Sequence, residues 1–169
     1  MSDSPLAADA ARATVEEIDS PAREYLGFFS AFIRRPRVVG AVAPSSRWLA
    51  AAMMPRMNLR EAGAVVELGA GTGAITRTLR KHIGSRTRLI ALELRRPSAR
   101  RLQRRFRDIE VVSDSAEHLR HHLDLRGHAY ADCIVSGLPW GSMSDDLQHR
   151  ILEAVVASLR PGGAFSAMA

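Results

Sequence analysis

The run Val65-Val66-Glu67-Leu68-Gly69-Ala70-Gly71-Thr72-Gly73 places glycines at alternate positions straight after a short apolar stretch. Glycine has no Cβ and tolerates positive φ, so Gly69, Gly71 and Gly73 let the chain turn sharply and let an adenosine-type ligand come close. The spacing is Gly-x-Gly-x-Gly. A dinucleotide fingerprint is Gly-x-Gly-x-x-Gly, with its third glycine given to helix packing and its helix N-terminus to a pyrophosphate. Carboxylates follow at telling places. Glu67 precedes the loop, and Glu93 ends the apolar run Leu89 to Leu94 about 20 residues past it, where an acid accepts from both hydroxyls of a ribose with a free 2′-OH. Asp114 closes the run Ile109 to Ser113, ahead of Ser115 and Ala116. It reads either as a ligand acceptor or as a helix N-cap.

A second cluster, Ser136-Gly137-Leu138-Pro139-Trp140, ends the apolar run that starts at Ala131. The backbone carbonyls of Gly137 and Leu138 are candidate hydrogen-bond acceptors. Trp140 either offers a ring face to a cation or serves as a core or lid aromatic. No Ser-His-Asp or Cys-His arrangement stands out, and His118, His121 and His122 have no accompanying ligand set at a metal-binding spacing, so they read as surface residues and no metal is expected.

The elements that must position these residues alternate along the chain, as in a doubly wound α/β fold with a mostly parallel sheet. Residues 1 to 20 are small, polar and acidic, the composition of a loose tail. Residues 21 to 60 predict amphipathic helices. Tyr25, Leu26, Phe28, Phe29, Phe32 and Ile33 recur at helical spacing ahead of Arg34, Arg35 and Arg37, and Ser45 or Ser46 caps a second helix to about Met57. Residues 61 to 169 form the core domain. Its strands are predicted from Val65, from near Arg88, over Ile109 to Ser113, over Ala131 to Ser136 and from Ala164 to Ala169. Its helices are predicted over Ala74 to His82, Pro97 to Arg107, Ala116 to Leu123 and Asp145 to Leu159, with Arg160-Pro161-Gly162-Gly163 as the final stop signal.

The 169 residues suit one domain with enough apolar content for a core. Lys81 is the only lysine among 24 basic residues, and the formal charge of +6 suits an anionic partner surface. Cys133 stands alone in an apolar run, which excludes a disulfide framework and fits a reducing cytoplasm. No secretory leader or membrane-spanning run is read. Between Pro97 and Arg107, Arg96, Arg100 and Arg104 form one row and Arg101 and Arg105 another; the rows suit phosphates of bilayer or RNA, or simply water.

The glycine loop, Glu67, Glu93 and Asp114 together resemble the motifs of class I S-adenosylmethionine-dependent methyltransferases. That resemblance implies S-adenosylmethionine as cofactor. Glu67, Gly69, Ala70, Gly71, Thr72 and Gly73 would then shape the methionine and ribose region, Glu93 and Leu94 the ribose, and Asp114, Ser115 and Ala116 the adenine. Amino-group methyltransferases carry Asn or Asp before Pro-Pro or Leu-Pro and an aromatic, whereas here Ser136 and Gly137 stand in that place. A planar adenine amine would lose its partner. Together with Phe32 to Ser46 and Leu147 to Gly163, Ser136 to Trp140 resembles bacterial phospholipid N-methyltransferases, which carry phosphatidylethanolamine toward phosphatidylcholine. The resemblance implies Ser136 to Trp140 as the acceptor site, Ser45 and Ser46 near the cofactor carboxylate, and an anionic membrane docked by the basic amphipathic N-terminal helix from the cytoplasmic side of the inner membrane. Family members usually add a C-terminal strand hairpin, so a strand at Ala164 to Ala169 would be an unprotected edge; the expectation is a truncated fragment or a covering partner. Two alternatives stay open, an rRNA adenine N-methyltransferase and a non-catalytic module that binds S-adenosylmethionine or a membrane.

Overall fold

The computed structural model of the protein describes residues 57–167. The tail, the amphipathic helices over 21–56, Ser45 and Ser46 lie outside the described residues. Five strands are laid down: β1 (Ala64–Leu68), β2 (Arg88–Leu92), β3 (Glu110–Val112), β4 (Ala131–Ser136) and β5 (Leu159–Ala167). They pair in the order β3-β2-β1-β4-β5, and every pairing is parallel. The doubly wound α/β reading of the sequence therefore holds. A parallel sheet is covered on both faces, which is why β1 and β4 read as near-continuous apolar runs rather than alternating ones.

Strand geometry sends successive side chains to opposite faces, and that splits the core in two. Val65, Ala91, Cys133 and Val135 pack beneath α1 (Ala74–His82) and α2 (Arg96–Arg105) through Ile75, Leu79, Leu102 and Phe106. Val66, Leu68, Ile90 and Ile134 pack beneath α3 (Leu119–Asp124) and α4 (Asp145–Ser158) through Leu119, Leu123, Ile151 and Val155. Glu67 shares the α1 face and is fully buried there. The chain winds outward from β1 in both directions, so the strand order reverses between β1 and β4. In open α/β sheets the crevice at that point, beyond the carboxyl ends of the strands, is where ligands bind.

Three elements differ from the sequence reading by more than one residue. The helix expected over Ala116 to Leu123 is a 3₁₀ turn at Ala116–His118 followed by α3. Helix α2 stops at Arg105 because Phe106 turns extended, φ −125° and ψ 92°, to bury its ring beside Leu102. The run Arg160 to Gly163 is not a stop before β5 but a bulge inside it: Ala131 pairs with Leu159, and Cys133 already pairs with Ala164. Proline cannot donate to a ladder, and Gly162 at φ 71° turns the extra residues out. Among the described residues no helix is long and apolar enough to cross a membrane.

Candidate active site at the carboxyl ends of the strands

The glycine loop is hung from the neighbouring strand. Gly69 N and Ala70 N both donate to the Leu92 carbonyl, at 2.9 and 3.3 Å, and Gly73 N closes the turn onto Ala70 O at 2.8 Å. All three glycines hold positive φ, at 73°, 51° and 79°. Two of them are also demanded by the protein's own packing. A Cβ on Gly69 would lie 2.6 Å from Leu138 Cδ2, and one on Gly73 would lie 2.6 Å from Phe106 and 2.7 Å from Leu102. The third glycine thus serves close helix packing here too, a role that the spacing alone assigned to the dinucleotide pattern.

Glu93 stands at the end of β2 with its carboxylate turned into the loop. Oε2 accepts from Gly71 N at 2.8 Å and Oε1 from Arg95 N at 2.9 Å. Burial pushes its pKa up against the pull of those two amides and of the Arg95 charge, and the net shift is upward. Each carboxylate oxygen accepts two bonds, so one site on each remains for a hydroxyl. Leu94 beside it is half-buried.

Glu67 is the deepest acid of the site. Its Oε2 accepts from the Thr76 hydroxyl at 2.6 Å, and Thr76, on the first turns of α1, is itself fully buried. Among the described residues Oε1 has no partner at all. Desolvation drives the Glu67 pKa up to about 8, helped by the charge of Glu93 and only partly offset by the bonds to Thr76. Thr76 was not singled out from sequence. Its signal was present, a hydroxyl three residues past the last glycine, where the first turn of a helix faces back along the strand it follows.

Asp114 follows β3 and sits between two histidines. Oδ1 accepts from Ser115 N at 2.7 Å and from His118 Nδ1 at 3.0 Å, while Oδ2 takes His122 Nε2 at 2.7 Å. Burial raises its pKa, but the bonds from His122, His118 and Ser115 outweigh it and leave the carboxyl below its ordinary value. Only Oδ2 keeps an acceptor site for another donor. The histidines read as surface residues therefore include one, His122, with only 13 % of its side chain exposed. Spacing of four from Asp114 to His118 to His122 was the legible clue. Ser115 caps the 3₁₀ turn, its hydroxyl accepting from Glu117 N at 3.4 Å and donating to the Glu117 carboxylate at 2.8 Å. Ala116 is buried behind it.

The turn after β4 closes the site. Gly137 N donates to Leu68 O at 2.8 Å, which ties this turn to the end of β1 beside the glycine loop. Ser136 is fully buried and its hydroxyl accepts twice, from Leu138 N at 3.3 Å and from the Trp140 indole at 3.0 Å. Trp140 also meets Phe165 of β5 edge to face at 6.3 Å. Its ring is thereby committed to holding the turn. Leu138 is buried against the loop, and its carbonyl accepts from Trp140 N at 3.0 Å, as the Pro139 carbonyl accepts from Ser142 N. Of the two carbonyls expected as acceptors, only that of Gly137 is left without a donor among the described residues.

Glu67, Glu93, Asp114, the loop and the Gly137 turn thus meet at the ends of β1 to β4. The set fits an adenosine-bearing sulfonium. It supplies acceptors for hydroxyls and an amino group and an unpartnered buried oxygen at Glu67. Among the described residues no group of three His, Cys, Asp or Glu side chains could hold a metal ion.

The comparisons agree with this geometry. A family model described as a methyltransferase domain matches residues 65–163. The ornithine lipid N-methyltransferase of Singulisphaera acidiphila is 34% identical over 147 residues, spanning 85% of this chain and 77% of that protein. Among solved structures, Aeropyrum pernix fibrillarin bound to S-adenosyl-L-methionine aligns at TM-score 0.54 and 18% identity over 71% of this chain. The Burkholderia thailandensis 1,6-didemethyltoxoflavin-N1-methyltransferase, with bound S-adenosylhomocysteine, aligns at 0.62 and 22% over 86%. The chain spans 50% and 60% of those two structures, and at such identities they speak for the fold. The family match covers the sheet, the loop and the acceptor turn together, and the chain belongs to the class I S-adenosylmethionine-dependent methyltransferases.

Proposed function

We propose that this protein transfers a methyl group from S-adenosylmethionine to the primary amine of a membrane lipid headgroup. The observation that carries the reading is the relative that acts on ornithine lipid, similar over 85% of this chain and so across both the loop and the acceptor turn. An ornithine headgroup and an ethanolamine headgroup both offer an alkylamine. Phosphatidylethanolamine remains the finer form of the proposal, with the ornithine lipid beside it.

Two features of the site support an alkylamine over a nucleobase amine. No carboxamide or carboxylate stands at the start of the acceptor turn, where the Ser136 hydroxyl is spent on Leu138 and Trp140. The acceptor left is the Gly137 carbonyl, which suits one N–H of a tetrahedral amine. When bound, the cofactor supplies an electrophilic methyl on sulfur, and the transfer needs chiefly approach and alignment. Glu93 and Asp114 would fix the adenosine, the Gly69 to Gly73 loop would let it lie close, and the Gly137 turn would aim the nitrogen. With a pKa near 8 in a sealed position, Glu67 is protonated at neutral pH. Glu67 is then a poor base for the acceptor ammonium, whose proton is left to water on this reading. On this reading the protein works in the cytoplasm on the inner membrane face, docked in part by the basic amphipathic segment before Arg37.

The test is competition between acceptors. Full-length protein with methyl-labelled S-adenosylmethionine is given vesicles containing ornithine lipid or phosphatidylethanolamine and, separately, ribosomal RNA. Label in lipid extracts supports the reading. Label in RNA alone overturns it, and label in neither favours a binding module.

A further inference from the structure

The arginines of α2 form the densest run of exposed arginines without an ion pair among the described residues, where Arg60, Arg77 and Arg86 also lack one but stand singly. The helix reads Arg-Pro-Ser-Ala-Arg-Arg-Leu-Gln-Arg-Arg, with no acidic residue. At about 100° per residue, Arg96, Arg100, Arg104, Arg101 and Arg105 fan over roughly half the helix circumference, opposite the Ala99 and Leu102 seam that packs on the sheet. All five are exposed, and Arg107 beyond the helix is exposed as well. Elsewhere Arg80, Arg88, Arg120, Arg126, Arg150 and Arg160 each meet a carboxylate. Among the described residues no ion pair involves an arginine between Arg95 and Arg107.

Open grooves flank this helix on both sides. One, of about 360 Å³, runs from Gly71 and Thr72 of the loop to Arg95, Arg101 and Arg105. The other, of about 410 Å³, is lined by Arg96, Arg100 and Ser113. Neither contains a carboxylate. Arg105 also donates to the Thr72 carbonyl at 3.1 Å, so the charged face is joined to the glycine loop itself.

We infer that the exposed face of α2 is an electrostatic docking surface for an anionic bilayer, and that it holds the rim of the active site against the headgroups. This rests on the lipid reading above for its choice of partner. The face itself favours a bilayer over RNA. Guanidinium forks match phosphate oxygens of either polymer or lipid, but a single strand of RNA also asks for exposed rings to stack on. The one aromatic beside the helix, Phe106, is buried in the core between Arg80 and Arg105. A bilayer asks only for a broad array of unpaired cations, and no apolar side chain of α2 needs to enter it. Because these charges are exposed, their effect is long-ranged and screened by salt.

The experiment compares full-length protein with Arg100→Ala/Arg104→Ala, and with Arg86→Ala at the amino-terminal rim of β2 as a charge control. Each is sedimented with vesicles of phosphatidylcholine alone or with added phosphatidylglycerol, and filter-binding to ribosomal RNA is measured in parallel. Each basic side chain near an anionic surface strengthens partitioning roughly fivefold, so the double variant should bind phosphatidylglycerol vesicles roughly 25-fold more weakly. The loss should shrink as salt is raised. Arg86→Ala should bind as the parent does. The N-terminal segment is present in every sample, so the difference belongs to α2. Equal vesicle binding by parent and double variant overturns the inference, as does a loss confined to RNA. Methylation of the amino lipid dispersed in neutral detergent micelles is scored separately and should be unchanged in the double variant. Failure of the parent in micelles counts against the lipid substrate, whereas the vesicle comparison counts for or against the surface.

Discussion

Glu67 is enclosed completely, with one oxygen on Thr76 and the other on nothing among the described residues. That enclosure decides its proton. A carboxyl raised from 4.5 to about 8 binds its proton more tightly folded than unfolded, so the stability it brings is fully present below about pH 4.5 and is lost as pH climbs through about 8. At 1.36 kcal/mol per unit the loss is at most about 5 kcal/mol. Glu67→Gln should flatten this part of the stability profile, read by denaturant unfolding at a series of pH values; an unchanged slope in the variant would assign the titration to another group. Glu93 behaves differently, because its carboxylate holds two backbone amides. Glu93→Ala leaves both without an acceptor at about 1–3 kcal/mol each, so it should lower the melting temperature and also weaken S-adenosylhomocysteine binding by calorimetry. Unaltered affinity would refute its part in the ribose site. The acids and their order along the chain were legible in the sequence, since each sits at the end of an apolar run. Their partners were legible only as local spacing, Thr76 three residues past Gly73 and His118 and His122 at steps of four from Asp114; the contacts themselves need α1, the 3₁₀ turn and α3 folded over the sheet.

At the scale of elements, the loop and the acceptor turn are one packed unit. Gly69 admits Leu138, and Gly73 admits Leu102 and Phe106. Gly73→Ala would force a side chain into positive φ and into contacts below 3 Å, and should cost about 2 kcal/mol or more of stability, visible as a shift of the urea midpoint. Ser136→Ala removes the acceptor shared by Leu138 N and the Trp140 indole. It should lower kcat while cofactor affinity stays within about twofold, because the Ser136 hydroxyl bonds only Leu138 and Trp140 of the turn and no residue of the loop, a loss of about 1–3 kcal/mol at the turn. An equal fall in cofactor affinity would show that the turn and the pocket are not separable. Sequence periodicity located every strand and α-helix of the described core, yet it misread the Arg160 to Gly163 run. Proline and glycine are punctuation in either case, and only pairing with Ala131 and Cys133 makes them a bulge rather than a stop.

For the whole molecule, the alternation of apolar runs and helical patterns was enough for a doubly wound parallel sheet. The reversal lies in the pairing of β1 with β4, which the Gly137 amide extends at the end of β1. What periodicity could not supply is how side chains are spent: Ser136, expected in the acceptor site, and Trp140, read either as a ring face for the acceptor or as a core or lid aromatic, are bound to each other. The acceptor is tested most directly by mass spectrometry of lipid products. Full-length protein is incubated with S-adenosylmethionine and vesicles holding both ornithine lipid and phosphatidylethanolamine, and fragment spectra locate each added methyl. The account predicts methyl groups on the headgroup nitrogen of at least one of these lipids, in step with S-adenosylhomocysteine formed. Unmodified lipid nitrogen, with S-adenosylhomocysteine accumulating only when RNA is supplied, would contradict it.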